Sequence, residues 1–494
     1  MYGGPNMRLA AAILGRWPMI FFLMNVALAM AADPEKIEVK PSVDLWLAGA
    51  QTSAFTANAD GVKGGQGAHV DGRHLVGFSV QNEAIGLNAG VGLTQNQLWG
   101  DPWSIAESID ERQRSDASSH LVQLRRLSVK AQLPVAQIET GLVTSHWGLG
   151  MLANDGAHDP YFGLPEFGDR VIRARITTKP TKNGPWFLSG AVDRVLQDDQ
   201  TIDPRRQWTQ QGILSLLWRD DDDSWGVYGV SRRQDELDVG RMTRVGVLDA
   251  FVDMTAPVSE NSHIRLAAEA AGVSGKTNRS TSYGSPERLL IRSGGATGLT
   301  MFHSGGLGFG SAFGYASGDG DPTDNQMNDF TFDRNFDVGM ILFDEVTGGI
   351  EAATYLDLTN PEYAGSPPSG VEASVTEGSF RRASYLQPRI QLEPLSWIEI
   401  RGGMVFAWST APFNQPFYTV RNGGVPVNQL KQETDGYSLG TEIDWSVRIT
   451  PFGESLREKI GHAVSVSMQG GHAQLSENLG GENVQRYILM MRVH

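Results

Sequence analysis

The sequence predicts an all-β protein, a transmembrane antiparallel up-and-down barrel of about 18–20 strands, and three observations predict it. Segments in which apolar and polar side chains alternate recur from residue 42 to the C-terminus, and this period of two is typical of strands. Each segment is near the roughly 9–11 residues that a tilted membrane strand needs. The connections alternate between short and long, as in barrels with short periplasmic turns and long extracellular loops.

The N-terminus resembles a secretory leader. Arg8 and Arg16 precede an apolar stretch at residues 17–29, and small residues occupy alternate positions up to Ala29 and Ala31. This pattern predicts a signal peptide at 1–31 that is cleaved near Ala29 or Ala31. A short periplasmic segment at 32–41 and a barrel at 42–494 would follow, in the outer membrane of a Gram-negative bacterium. An uncleaved N-terminal anchor is the alternative.

The composition excludes several classes of protein. The 494 residues include 58 glycines and no cysteine, and the formal charge is −15, which the loss of Arg8 and Arg16 with the leader would lower by two. An acidic chain argues against nucleic acid as a partner, and the lack of cysteine excludes disulfides. No apolar run of about 18 residues follows residue 31, so a helical membrane protein is excluded. A large soluble β-protein with one solvated face remains the alternative.

The clearest hairpin lies at residues 120–148. Alternation runs through Arg126 to Gln132 and resumes at Ala136. If Pro134 and Val135 form a two-residue turn, Lys130 falls opposite Glu139, an opposite-charge pair that would favour this register.

The alternating segments along the whole chain predict 20 strands. The least regular pairs are 74–81 with 84–93 and 335–346 with 349–357; the loss of one pair gives 18. At residues 436–449 the sequence predicts one face with Leu439, Ile443 and Trp445 and another with Glu442 and Asp444. Aromatic residues at different heights are typical of the interfacial girdles of such barrels.

Many strands carry charged residues on the face opposite their apolar residues. A water-filled lumen removes the cost of burying such charges, so this face should line a pore. The predicted pore-lining residues are Arg126, Lys130, Glu139, Arg173, Arg175, Arg265, Glu269, Arg381, Arg389, Glu399, Arg401, Glu442, Asp444 and Arg448. Their basic excess would attract anionic solutes.

The segment at residues 145–156, here named the WGLG loop, is unusual for an extracellular connection. Its glycines permit tight turns, and several of its side chains are too apolar for a loop in water. The sequence predicts either that it folds into the lumen, with Trp147, Asn154 and Asp155 as constriction residues, or that the strand continues to the outer interface.

Motifs for catalysis or metal binding are weak. Gly436 to Gly440 matches G-x-S-x-G, but Ser438 lies in an alternating strand and not at a strand-to-helix turn. Asp319, Asp321 and Asp324 share one loop, where a solvated acidic loop and a Ca²⁺ site are the alternatives. The histidines show no familiar ligand spacing. We therefore expect no enzyme activity, catalytic residue or cofactor, and no metal beyond that Ca²⁺ alternative.

Three segments carry a resemblance to a family. They are residues 144–156 (TSHWGLGMLANDG), 314–319 (GYASGD) and 336–343 (FDVGMILF). The first resembles the signature of an uncharacterised family of bacterial outer-membrane β-barrels, and the other two also resemble that family. More loosely, the ASGD piece and the overall size are similar to alginate-export-type barrels. The first resemblance implies the fold and the location, but neither a substrate nor site residues.

The sequence thus predicts a porin-like channel that passes small or oligomeric polar solutes, anionic ones included. The expected partners are outer-membrane lipid and the barrel-assembly machinery. A closed structural or adhesive barrel is the alternative, and an outer-membrane lipid hydrolase is a remote one.

Overall fold

The computed structural model describes residues 37–94, 97–101, 122–181, 184–201, 204–237, 240–279, 288–321, 324–364, 376, 378–434, 436–451 and 463–493. The predicted leader and its cleavage sites lie outside these residues. Within them, no helix is both long enough and apolar enough to cross a membrane.

Eighteen long strands form the wall in the described part of the chain. In chain order they are β1 (Glu38–Thr52), β2 (His69–Gln81), β3 (Ile85–Thr94), β4 (Gln123–Gln132), β5 (Ala136–Thr144), β6 (Arg170–Thr178), β7 (Trp186–Gln197), β8 (Gln207–Asp220), β9 (Asp223–Glu236), β10 (Arg241–Ser259), β11 (Ser262–Thr277), β12 (Leu289–Ser304), β13 (Leu307–Ala316), β14 (Ala383–Leu395), β15 (Ile398–Ser409), β16 (Ser438–Ile449), β17 (Val464–Leu475) and β18 (Asn483–Val493).

The sheet closes on itself. Every strand pairs with its neighbours in antiparallel fashion, and β1 pairs with both β2 and β18. At the seam, Ala48 lies opposite Met490 and Leu45 opposite Val493. Closure leaves no edge strand, which a barrel in a bilayer requires because lipid offers no hydrogen bonds to a free edge. The predicted transmembrane barrel is confirmed, with 18 strands.

The outer surface is apolar because alternate side chains point away from the lumen. Leu214, Leu248 and Leu489 leave 63%, 64% and 59% of their surface exposed, as expected where lipid replaces water. Trp408 and Trp397 are exposed near the long-loop and short-turn ends respectively. Tryptophan at both rims matches the aromatic girdles of membrane barrels.

The predicted hairpin register is correct. Lys130 lies opposite Glu139, and the Leu133 amide donates to the Ala136 carbonyl at 2.7 Å. The less regular pair predicted at 74–81 and 84–93 is also present, as β2 and β3. The first strand begins at Glu38, so it includes the end of the segment predicted to precede the barrel.

The strand pair predicted at 335–346 and 349–357 is wrong. A π-helix (Leu342–Thr347) leads into helix α1 (Gly348–Thr359), followed by the short helix α2 (Pro361–Ala364); α3 (Pro416–Arg421) lies in the β15–β16 connection. The π-helix and α1 bury side chains on several sides inside the barrel. Since this segment has no lipid-facing side, its apolar residues need not alternate.

The hydrophobic core lies inside the barrel, along one side of the lumen. Met340, Ile341 and Leu342 of the β13–β14 connection are almost fully buried. Their cluster includes Ile488 and Met490 of β18. Each fully buried side chain of this size contributes roughly 1.5–3 kcal/mol, so this connection is a packed part of the interior. It fills that side of the lumen.

One predicted strand face is interrupted by a bulge. The β15–β16 register shifts between Ala407 and Trp408, next to Gly440, whose φ is 139°. Leu439 therefore points inward and is 4% exposed, whereas Ile443 points outward. The prediction that Leu439 and Ile443 share a face is wrong, because a bulge inserts one residue and reverses the alternation.

Candidate functional site: the lumen

A cavity of about 960 Å³ occupies the side of the lumen that the core leaves free. It is lined by β6 to β12, by the two inward-folded connections, β5–β6 and β13–β14, and by part of the β15–β16 connection. Its lining includes Arg219 and Asp253, close to the short-turn end, and Arg279 and Asn414, beyond strand ends on the long-loop side. One cavity therefore extends along the barrel between its two ends.

The WGLG loop leaves the wall and enters the lumen. The Trp147 ring stacks on Tyr228 of β9 with centroids 4.7 Å apart and meets Phe251 of β10 edge-on at 5.1 Å. Its Nε1 donates to the Asp249 carboxylate at 3.0 Å. Trp147 thus reaches strands four and five places from β5, so of the two predicted arrangements the structure has the one in which the loop folds inward.

Glu269 on β11 holds the same loop. The Leu149 amide donates to Glu269 Oε2 at 2.5 Å. Gly148 has φ 58°, and a Cβ there would lie 2.6 Å from that oxygen, so only glycine fits at this close approach. Glu269, predicted to line the pore, is instead covered by the loop that it binds.

Asn154 and Asp333 connect the two inward-folded connections. The Asn154 amide donates to Asp333 Oδ2 at 3.1 Å, and its side chain donates to the Asn335 carbonyl at 3.1 Å. Asn154 is 5% exposed. Asn154 was predicted as a constriction residue; the structure places it inside this joint, out of contact with solvent.

Several predicted pore-lining charges form ion pairs along the wall. Arg173 donates to the Asp193 carboxylate at 2.7 and 2.8 Å. Glu139 lies between Arg175, at 2.5 Å, and Lys130, at 3.6 Å. Arg173 and Arg175 line the cavity, whereas Lys130 and Glu139 do not.

Other charges lie nearer the ends of the cavity. Arg381 precedes β14 and bonds Asp329 at 2.8 Å and Glu351 at 3.3 Å. Near the short turns, Arg265 bonds Asp253 at 2.7 Å. Arg381 lines the cavity and Arg265 does not.

A second group of predicted pore residues contacts the β5–β6 connection outside the cavity. Arg389 and Arg401 lie over the Tyr161 ring at 4.4 and 5.1 Å. Glu399 bonds Arg401 at 2.9 Å, and Arg448 lies 3.6 Å from an Asp159 carboxylate oxygen. Arg126 is 3.7 Å from Asp155. These side chains attach the connection to the wall.

Glu442 and Asp444 lie beneath the β13–β14 connection and do not line the cavity. Both are at most 1% exposed. Glu442 accepts hydrogen bonds from the backbone amides of Met340, Ile341 and Leu342 at 2.6, 2.8 and 2.8 Å. The prediction that these two carboxylates face the open pore is therefore wrong. Glu442 instead accepts hydrogen bonds from backbone amides where the helical segment begins.

Sequence reasoning missed Arg125, which anchors the β5–β6 connection. A register shift at Gly90 and Val91 faces this part of β4, and Arg125 is 1% exposed. Its guanidinium donates to the Gly168 carbonyl at 2.7 Å and lies 4.4 Å from the Phe167 ring centroid. The adjacent Arg125 and Arg126 were the available signal, since strict alternation cannot turn both inward.

His146, Asp155 and His158 come together at the edge of the cavity, and the two histidines line it. Burial, and then the neighbouring His158, lower the pKa of His146. Asp155, predicted as a constriction residue, is part of this cluster. The sequence did not predict the cluster, because residues 146, 155 and 158 do not all fall on one face of a helix or of a strand.

The carboxylates of the acidic loop accept hydrogen bonds from backbone amides of the same loop. The Asp319 carboxylate accepts from the amides of Asp321 and Asn328 at 3.1 and 3.3 Å. Asp324 accepts from the Gln326 amide at 2.6 Å. Among the described residues, the group of three potential ligand side chains within metal-binding reach of one another is the histidine cluster and does not include these aspartates.

The cavity lining is rich in charge of both signs. Among the described lining residues, seven are arginines and eight are carboxylates. Many of them are paired, as Arg232 is with Asp198. The site can therefore offer both donors and acceptors to a polar solute along its length.

Solved structures with the same fold include members of one group of bacterial proteins. The chain matches OccAB1 of Acinetobacter baumannii with a TM-score of 0.53 and 9% identity, over 92% of this chain and 96% of that one. OccD3 (OpdP) of Pseudomonas aeruginosa matches with 0.51 and 10%, over 92% and 90%. OccK8 (OprE) of the same species matches with 0.50 and 9%, over 92% and 97%.

At these identities the similarity concerns the fold. No model of a known protein family and no curated protein matches the sequence.

Proposed function

We propose that this chain is an outer-membrane channel through which small or oligomeric polar solutes pass by diffusion. The observation that carries the proposal is a charged cavity that extends along the barrel beside the packed core. Water-filled lumens with mixed charges conduct polar solutes. The barrel fold, the predicted leader and the alternation of turns and loops support the outer membrane as its location.

A closed barrel would require the inward-folded connections to plug the lumen. These connections fill one side of the lumen, and the cavity lies beside them. An anion preference stays a prediction, because arginines and carboxylates are nearly equal in number along the lining. Membership of the uncharacterised outer-membrane family, the absence of enzyme activity and contact with the assembly machinery are also parts of the proposal.

Liposome swelling tests the proposal. Vesicles that contain the purified protein should swell in neutral sugars, with a rate that falls as the sugar grows, because a cavity of this size discriminates by volume. A matched control uses heat-denatured protein. Swelling no faster than in the control, for even the smallest sugar, would contradict the channel and favour a closed barrel.

The ionic preference is measured separately. Reversal potentials in a planar bilayer with a salt gradient would show anion selectivity if the arginines dominate the local potential. Clear cation selectivity would contradict the anion version and leave the channel itself intact.

A further inference from the structure

We propose that His146, Asp155 and His158 form a binding site for a divalent transition-metal ion, with Zn²⁺ as the ion that best fits the ligands. One potential ligand atom from each residue lies within 4.8 Å of the others. The His146 and His158 ring centroids are 4.3 Å apart. Two imidazoles with one carboxylate and an open position are a common ligand set for Zn²⁺.

His146 is oriented as a ligand. Its Nε2 lies 3.2 Å from the Gly148 carbonyl, and a donor at Nε2 leaves the lone pair on Nδ1. That Nδ1 is buried and has no hydrogen-bond partner among the described residues. Metal-binding histidines characteristically donate their other ring N–H to a carbonyl or carboxylate, so the tautomer that this contact selects presents Nδ1 to an ion.

The spacing between His146 and Asp155 fits a shared ion better than a direct bond. His146 Nδ1 lies 3.8 Å from Asp155 Oδ1, which is too long for a hydrogen bond. Zn–N and Zn–O bonds of about 2.1 Å at a tetrahedral angle separate two ligand atoms by about 3.4 Å. A shift of a few tenths of an ångström would bring this pair of ligand atoms to that separation.

Asp155 is itself held in place. Thr144 Oγ1 donates to Asp155 Oδ2 at 2.9 Å, and the Ala157 amide donates to Oδ1 at 3.1 Å. Arg126 lies 3.7 Å from Oδ2, and its positive charge opposes the ion, which limits the affinity. Because both histidines line the cavity, the fourth coordination position would face the lumen and be taken by water.

The test is calorimetric titration of the full-length barrel in detergent with Zn²⁺ after removal of bound metal by a chelator. The wild-type protein should bind one ion per chain at this site. His158→Ala should weaken binding by at least about 100-fold, since loss of even an outer-shell partner costs about 10–100-fold. His158 is exposed, so this variant should fold. Thr144→Val, which removes a donor to Asp155, should weaken binding about 10-fold.

A second pair of histidines supplies the matched control. His263 and His303 stack with centroids 4.9 Å apart and belong to the paired strands β11 and β12. The double variant His263→Ala/His303→Ala should keep the wild-type affinity. The proposal is overturned if the wild-type protein binds no Zn²⁺, if His158→Ala binds as tightly as wild type, or if the control variant alone loses the ion. Binding is measured without transport, so its failure would leave the channel proposal untouched.

Discussion

At the scale of single residues, the interior of this barrel depends on carboxylates that bind backbone amides. Glu269 accepts from the Leu149 amide and Glu442 from three successive amides at residues 340–342. A buried amide without a partner costs about 1–3 kcal/mol. Each of these two wall residues therefore fixes one point at which an inward-folded connection attaches.

We expect Glu442→Ala to loosen the β13–β14 connection without unfolding the barrel. The substitution leaves three buried amides without their acceptor, at a cost of about 1–3 kcal/mol for each amide that finds no new partner. Hydrogen exchange at residues 340–347 should become faster, while exchange in β16 and β17 should not change.

Glu442→Gln is the matched control for that substitution. Glutamine keeps one acceptor oxygen but turns an NH₂ group toward a backbone N–H, so its effect should be intermediate. Exchange at residues 340–347 that stays at the wild-type rate in the alanine variant would contradict the assigned role of Glu442.

At the scale of elements, the seam between the first and last strands closes the barrel. Ala48 and Met490 are partners across this seam, and both side chains are buried. Directly opposed residues have Cβ atoms about 4.5–5.5 Å apart, and diagonal neighbours about 7–8 Å. The chain has no cysteine, so a disulfide introduced here would be the sole one.

We expect the double variant Ala48→Cys/Met490→Cys to form a disulfide on mild oxidation. The bond would enclose nearly the whole chain, and the denatured protein should migrate faster on a non-reducing gel. The control Ala48→Cys/Ile488→Cys is offset by one diagonal step, because Ile488 pairs with Ala50. Equal cross-linking of both pairs, or of neither, would contradict the seam register.

At the scale of the whole molecule, alternation along the sequence predicted the wall well and the interior poorly. The wall has a lipid side and a lumen side, so a period of two reports its strands directly, as the Lys130–Glu139 register shows. Residues 342–359 bury side chains on several sides and lack that contrast. Bulges near Arg125 and Gly440 reverse the alternation locally, and a single sequence does not mark them.

Alternation along the strands also predicted part of the candidate site. It correctly turned Arg173 and Arg175 toward the lumen, where both line the cavity. It also selected Glu442, which the β13–β14 connection covers, because alternation separates inside from outside but does not show what fills the inside. The cluster of His146, Asp155 and His158 depends on the path of a loop, which no periodicity encodes.

We propose that the lumen is an open channel and that the WGLG loop narrows it. Single-channel recording in a planar bilayer, on wild-type protein and on Trp147→Ala, tests it most directly. Removal of the indole that stacks on Tyr228 should raise the unitary conductance, since pore width limits ion flow. Trp397→Ala, a control in the short turn between β14 and β15 that is 45% exposed in wild type, should leave the conductance unchanged.

We expect discrete conductance steps in the wild-type protein and larger steps in Trp147→Ala. The absence of any conductance in both proteins would contradict an open channel.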